Sequence, residues 1–174
     1  MPRFGACIIR EMSFGDVDRV VALEKRIFSS PWSAELFRYE VGNSDRTIYL
    51  VAEDNAHLIG YIGAQVFGKE VHVTNMAVEP ESRRAGFASA LLLECVRIGL
   101  ERGARWLTLE VRSGNKEARL FYLEFGFEEL GLRHRYYTDT GEDAIIMATG
   151  DIRTQEYADL LARLQMRLLT GEGG

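Results

Sequence analysis

Apolar and polar positions follow two rhythms along this chain, and the switches between them mark its elements. Residues 4–12, centred on Ala6, Cys7, Ile8 and Ile9, predict a first strand. Ser13 and Asp16 have the spacing of a helix start, and Val17, Val20, Val21 and Phe28 then recur at helical intervals. Pro31 breaks that helix. A short second one is predicted from Ser33 to about Val41, ended by Gly42 and Asn43. Three β-branched and apolar runs follow at 47–52, 58–67 and 71–78, joined at Asp54 and Asn55 and at Gly68 and Lys69. Tight turns between consecutive strands predict an antiparallel meander.

The rhythm changes at residue 87. Ala88, Leu91, Leu92, Cys95, Val96 and Gly99 share one face of a helix predicted over 87–102. Gly103 ends it, and 105–111 reads as a strand. Strand, helix and strand in that order predict a right-handed crossover between parallel strands. A helix over 115–125, stopped by Gly126, and strands at about 127–137 and 144–148 complete the pattern. The predicted fold class is α/β (α+β): a mixed, mostly antiparallel sheet of about seven strands, with a parallel central pair joined by a crossover helix and further helices flanking it. Residues 1–149 form that domain. Within 150–174, Tyr157, Leu160, Leu161, Leu164 and Leu168 predict an appended amphipathic helix, followed by a frayed glycine-rich end. Its leucine stripe either packs back on the domain or meets a second copy, so a monomer or a weak homodimer is expected.

Composition narrows the class. With 47% hydrophobic and 27% charged residues, the 174-residue chain can bury one real core. A net charge of −5 argues against a general nucleic-acid binder and suits a basic acceptor. No apolar run approaches the ~20 residues of a membrane span. The start lacks the layout of a signal peptide, and Cys7 and Cys95 stand alone, so a reducing cytoplasm is expected. His57, His72 and His134 are scattered without metal-ligand spacing, and no metal site is predicted.

The chemistry concentrates where the last meander strand meets the long helix. Arg83, Arg84, Ala85, Gly86, Phe87, Ala88 and Ser89 combine two cations, small residues and a helix start. Unpaired amides and the positive end of the helix dipole converge there, a cradle for a diphosphate. The Gly-Lys-Ser/Thr ending of a nucleotide loop is missing, as is the Rossmann Gly-x-Gly-x-x-Gly.

This run resembles the Gln/Arg-x-x-Gly-x-Gly/Ala loop of the GNAT superfamily of acetyltransferases, here Arg83-x-x-Gly86-x-Ala88. Downstream, Asn115, Ala118, Tyr122, Gly126 and Phe127 fit the superfamily pattern Asn-x-x-Ala-x-x-x-Tyr-x-x-x-Gly-Phe, and the resemblance covers about residues 8–149. Within the superfamily, Pro31-Trp32-Ser33, residues 109–115, and Tyr136-Tyr137 leading into 142–147 resemble the RimI ribosomal-protein-alanine N-acetyltransferases and archaeal N-terminal acetyltransferases. Ala88 departs from most RimI sequences, which carry glycine there. That departure blurs which N-termini are accepted, not the reaction.

The resemblance implies a GNAT fold and acetyl-CoA as co-substrate. It implies that the loop amides hold the diphosphate, that Met76, Ala77 and Val78 pair with pantetheine, and that Asn115 and Tyr122 touch the cofactor. It further implies Glu110 as general base and Tyr122 as general acid, with Pro31, Trp32, Glu110, Tyr136 and Tyr137 around the acceptor. The acceptor would be a protein N-terminus, a ribosomal protein among the candidates. Simple acid–base arithmetic favours an α-amine: with a pKa of ~7.7–8.0, about a tenth is neutral at pH 7, whereas lysine at ~10.4 needs about 3 units of help. Alternation puts Glu110 on one strand face with Trp106, Thr108 and Arg112. Competing roles stay open: Glu110 as an ion-pair partner of Arg112, Tyr122 and Trp32 as core, and only one tyrosine of the 136–137 pair facing the groove. At the level of function, a lysine or small-amine acetyltransferase and a non-catalytic acyl-CoA sensor remain alternatives.

Overall fold

A computed structural model describes residues 3–4 and 7–171, the first two as backbone only. Gly5 and Ala6 of the first predicted strand, and residues 172–174 of the predicted frayed end, lie outside the described residues. Among the described residues, eight strands form one sheet: β1 (Arg3–Phe4), β2 (Cys7–Glu11), β3 (Thr47–Asp54), β4 (His57–Phe67), β5 (Glu70–Val78), β6 (Trp106–Arg112), β7 (Phe127–Tyr137) and β8 (Glu142–Thr149). Five α-helices among the described residues flank it: α1 (Val17–Ile27), α2 (Ala34–Gly42), α3 (Phe87–Glu101), α4 (Lys116–Glu124) and α5 (Gln155–Thr170). The order across the sheet is β1-β2-β3-β4-β5-β6-β8-β7. All neighbours are antiparallel except β5 and β6, the parallel pair that α3 connects.

Two apolar layers clamp the sheet. On one face Val17, Val20 and Leu23 of α1 and Phe37 of α2 pack against Tyr49, Val51, Tyr61 and Ala77. Phe37 has no exposed surface, and emptying such a site typically costs ~3–5 kcal/mol. On the other face Leu91, Leu92, Cys95 and Val96 of α3 join Leu107 and Leu109 of β6 and Tyr122 and Phe125 around α4. Helix starts follow local chemistry. The Asp16 carboxylate accepts from the Ser13 amide at 2.8 Å, and Ser33 and Thr154 cap α2 and α5.

The tail helix lies on the α3 face. Tyr157 donates to the Phe125 carbonyl at 3.0 Å, Leu164 is buried, and Leu168 reaches the entrance of α3. At the far edge, β7 is exposed along nearly its whole length because β8, not β7, lies beside β6.

Candidate active site

The central pair of strands parts company halfway along. β5 and β6 are paired from Glu70 with Trp106 to Val73 with Leu109. Beyond that point β5 bonds to β4, with Met76 opposite Ile62 and Val78 opposite Gly60, while β6 bonds to β8. The facing edges therefore diverge, so past Val73 β5 has no strand beside it on the β6 side, and the Val78 carbonyl takes the Arg83 Nε at 3.5 Å instead. An extended ligand bearing amides can pair there as a short strand would.

The mouth of α3 stands over this opening. Gly86 is the N-cap, with φ of 85°, a conformation L side chains rarely adopt. The first helical bond runs from the Ala90 amide to the Gly86 carbonyl, so the amides of Phe87, Ala88 and Ser89 have no partner within the helix. Arg83 and Arg84 are exposed beside them, Arg84 with φ of 59° and no ion pair among the described residues. Ala88 lies inside α3, where alanine is the best helix former, so the departure from glycine costs the backbone nothing. Free amides, formal cations and an adjoining open strand edge fit the diphosphate and pantetheine of coenzyme A. One neighbour crowds the entrance: a Cβ on Gly86 would lie 2.6 Å from Leu168 of α5.

Glu110 sits one residue past the last β5–β6 pair, on the half-exposed face of β6. Its partners are not Arg112, which the competing reading paired with it. The His72 imidazole Nε2 approaches the carboxylate at 3.0 Å, and Arg133 approaches its other oxygen at 3.4 Å. Arg112 turns instead to Asp139 at 2.8 Å and Glu142 at 3.4 Å, and stacks 4.0 Å over the Tyr137 ring. The hydrogen bond from His72 holds the Glu110 carboxyl below its ordinary pKa, against the opposing effect of burial, with further lowering from the charges of His72 and Arg133. His72 is itself anchored. Its Nδ1 meets the Thr108 hydroxyl at 2.7 Å, and that hydroxyl donates to Glu70.

Tyr122 lies on the buried face of α4, and its hydroxyl has no hydrogen-bond partner among the described residues. Burial pushes its pKa upward, keeping the phenol protonated. Asn115 is the N-cap of α4: its side-chain oxygen accepts from the Ala118 amide at 3.1 Å, which leaves the amide NH2 for another partner.

Two loops carry the other residues expected around the acceptor. Between α1 and α2, Trp32 packs on Phe37 with ring centroids 5.6 Å apart, and Pro31 beside it is half-buried. Between β7 and β8, Asp139 joins that loop to the sheet, accepting from the Ser29 hydroxyl at 2.5 Å and pairing with Arg112. Strict alternation does not hold at the tyrosine pair. Arg135 has φ of 51° and the β7–β8 register slips between Arg133 and Tyr137, so the two rings meet edge to face at 5.2 Å. Tyr137 points its hydroxyl at the Glu110 carbonyl at 3.4 Å, and burial raises its pKa to about 12. Tyr136 is 43% exposed, beneath Arg133.

Sequence reasoning missed His72, Arg133 and Asp139. The spacing of His72, two residues past Glu70 at the start of β5, carries no signal, and only the parallel register beside β6 brings it to Glu110. Among the described residues, no group of three or more His, Cys, Asp or Glu side chains is placed to hold a metal ion, and no helix is long and apolar enough to cross a membrane.

Comparisons with known proteins agree with this geometry. The model of the acetyltransferase (GNAT) family matches residues 17–127. A Bacillus subtilis protein that carries the ribosomal-protein-bS18-alanine N-acetyltransferase name provisionally is 39% identical over 139 residues, 80% of this chain and 92% of the relative. The Escherichia coli ribosomal-protein-bS18-alanine N-acetyltransferase is 34% identical over 142 residues, 80% of this chain and 95% of its own. Its crystal structure superposes with a TM-score of 0.77 at 32% identity, covering 86% of this chain and 97% of that one. Ard1 from Thermoplasma volcanium follows at a TM-score of 0.76 and 26% identity, covering 84% and 99%. A family match across the crossover and both motifs, on a sheet that opens beside the mouth of α3, makes this chain a member of the GNAT acetyltransferase family, an acetyl-CoA-dependent N-acetyltransferase.

Proposed function

We propose that the acceptor is the α-amine of a protein N-terminus, an alanine-leading ribosomal protein being the acceptor that the names of the relatives favour, and that the reaction takes place in the cytoplasm. The observation that carries the reading is the position of Glu110, immediately past the point where β5 and β6 part, facing the opening that the mouth of α3 overhangs. Acetyl-CoA supplies the activated acetyl group as a thioester. Amides of the 83–89 segment hold its diphosphate, and the strand edge at Met76, Ala77 and Val78, which no neighbouring strand covers, receives pantetheine. The Asn115 side-chain NH2 is free to steady the same ligand.

The acceptor enters between the Pro31–Trp32 loop and the Tyr136–Tyr137 pair. Its neutral amine attacks the acetyl carbonyl, forming the C–N bond as the C–S bond breaks. Glu110 removes the proton from nitrogen, directly or through one water. An α-amine asks little of this base, because about a tenth of it is already neutral at pH 7 and its nitrogen becomes strongly acidic as it bonds to carbon, so a carboxylate held below its ordinary pKa can still take the proton. Tyr122, kept protonated by burial, serves as general acid and delivers a proton to the departing sulfur. His72 fixes the Glu110 carboxylate and, with both ring nitrogens facing acceptors or a hydroxyl, cannot rotate without losing a partner.

The test is mass spectrometry on peptides with free or blocked N-termini, Ala-Arg-leading and Met- or Ser-leading together. Acetylation confined to free N-termini supports the reading. Modification of blocked, lysine-bearing peptides alone would assign the site to side-chain amines, and tight coenzyme binding without turnover would make it a sensor.

A further inference from the structure

A buried carboxylate outside this constellation links its two sides. Glu24 lies on α1 at 1% exposure, with both oxygens engaged. One accepts the Tyr61 hydroxyl of β4; the other accepts the Trp32 amide at 2.9 Å. Tyr61 in turn accepts from the Asn75 side chain of β5 at 2.9 Å. Asn75 stands at an irregularity where the β4–β5 register skips Thr74, and directly precedes Met76. Space around it is exhausted: a Cβ on Gly63 would fall 2.6 Å from the Asn75 oxygen. A continuous path thus runs from the acceptor loop through Glu24 and Tyr61 to the donor strand.

The loop has little else to hold it. Among the described residues, the hydrogen bonds that fix 29–32 are the Trp32 amide to Glu24 and the Ser29 hydroxyl to Asp139. Trp32 also leans on Phe37, whose ring meets Tyr61 edge-on at 5.5 Å. A purely structural purpose is a costly reason to bury a carboxylate, because removing it from water is unfavourable unless its partners are well placed. Burial indeed raises its pKa, and the bonds from Tyr61 and Trp32 pull the other way.

We propose that Glu24 is a positioning residue for the acceptor: by holding the Trp32 amide at a fixed distance from the donor strand, it sets the affinity for the incoming N-terminal residue. This rests on the reading of Pro31 and Trp32 as an acceptor wall. Steady-state kinetics with an N-terminal peptide and acetyl-CoA varied independently test it in Glu24→Ala, Glu24→Gln, Tyr61→Phe and Trp32→Ala. Glu24→Ala should raise the peptide KM about tenfold, the scale of a lost buried charge-assisted hydrogen bond, with kcat and the acetyl-CoA KM within about twofold. Glu24→Gln, which keeps one acceptor oxygen, should restore part of that loss. Adding Glu24→Ala to Trp32→Ala should cost nothing further, since both act through one wall. An unchanged peptide KM in Glu24→Ala, or a fall in kcat that tracks the folded fraction, overturns the proposal. If Glu24→Ala does not fold, Glu24→Gln and Tyr61→Phe must each raise the peptide KM several-fold, and failure to do so overturns it equally. Trp32→Ala without effect on the peptide KM sinks the wall itself and the proposal with it. Trp32→Ala with an effect, and the Glu24 variants without one, sinks the role of Glu24 alone.

Discussion

The mouth of α3 and the proposed acceptor groove lie beside one opening, yet they are made of different materials. The mouth is backbone: first-turn amides, a glycine at positive φ and two arginines within a few residues of one another. The groove is side chain: His72, Glu110 and Arg133 come from three strands, and Ser29, Asp139 and Arg112 tie two distant loops together. A backbone cradle tolerates almost any side chain that leaves its φ and ψ alone. A side-chain groove can be retuned one residue at a time without disturbing the donor end.

That contrast can be broken at several points. Glu110→Gln should lower kcat by ~10²–10⁴ while coenzyme affinity stays put, as isothermal titration would read. A matching loss of coenzyme binding would mean the two ends are not separable. Tyr122→Phe should cost about 10² in kcat, the low end of general acid catalysis, with little change in thermal midpoint because the hydroxyl has no protein partner among the described residues. Gly86→Ala strikes the backbone end: a left-handed alanine costs ~1–2 kcal/mol, so coenzyme should bind about tenfold more weakly with the peptide KM unmoved. Asp139→Ala should raise only the peptide KM, about twofold to fivefold, the scale of an exposed ion pair.

The smallest effect is one of pH. His72 is the chief cause of the lowered Glu110 pKa, so His72→Ala lets that pKa rise toward its ordinary value. In its proposed role as base, Glu110 must be ionised. The acidic limb of kcat/KM should therefore move to higher pH, while the rate near neutrality, where the carboxylate is charged in either case, changes little through this route. An acidic limb that stays in place would separate His72 from the base.

What the sequence disclosed follows the same division. The strand–helix–strand crossover, the Arg83-x-x-Gly86-x-Ala88 loop and the helix that starts near Asn115 are local features, each legible in a few consecutive residues. The face of β6 that carries Glu110 also followed from period-two alternation. Partners were not legible. Ser29 meets Asp139 across 110 positions and Glu24 meets Tyr61 across 37, and only the finished sheet order brings such pairs together. Arg112 was the natural partner for Glu110 by spacing, but the β7–β8 loop offers it Asp139, Glu142 and the Tyr137 ring instead. Alternation also failed at Tyr136 and Tyr137, where a positive φ at Arg135 and a slipped register bring both rings together. The side of the domain on which α5 rests, with Leu168 at the threshold of Gly86, depends on packing that its leucine stripe alone does not specify.

One measurement reaches the centre of this chemistry: an amide NMR titration of the full chain with coenzyme A. Backbone signals of Gly86, Phe87, Ala88 and Ser89 should shift together with those of Met76, Ala77 and Val78, saturating at one common concentration. Stationary signals at Gly86 to Ser89, with coenzyme bound and other amides responding, would contradict a diphosphate held at the mouth of α3.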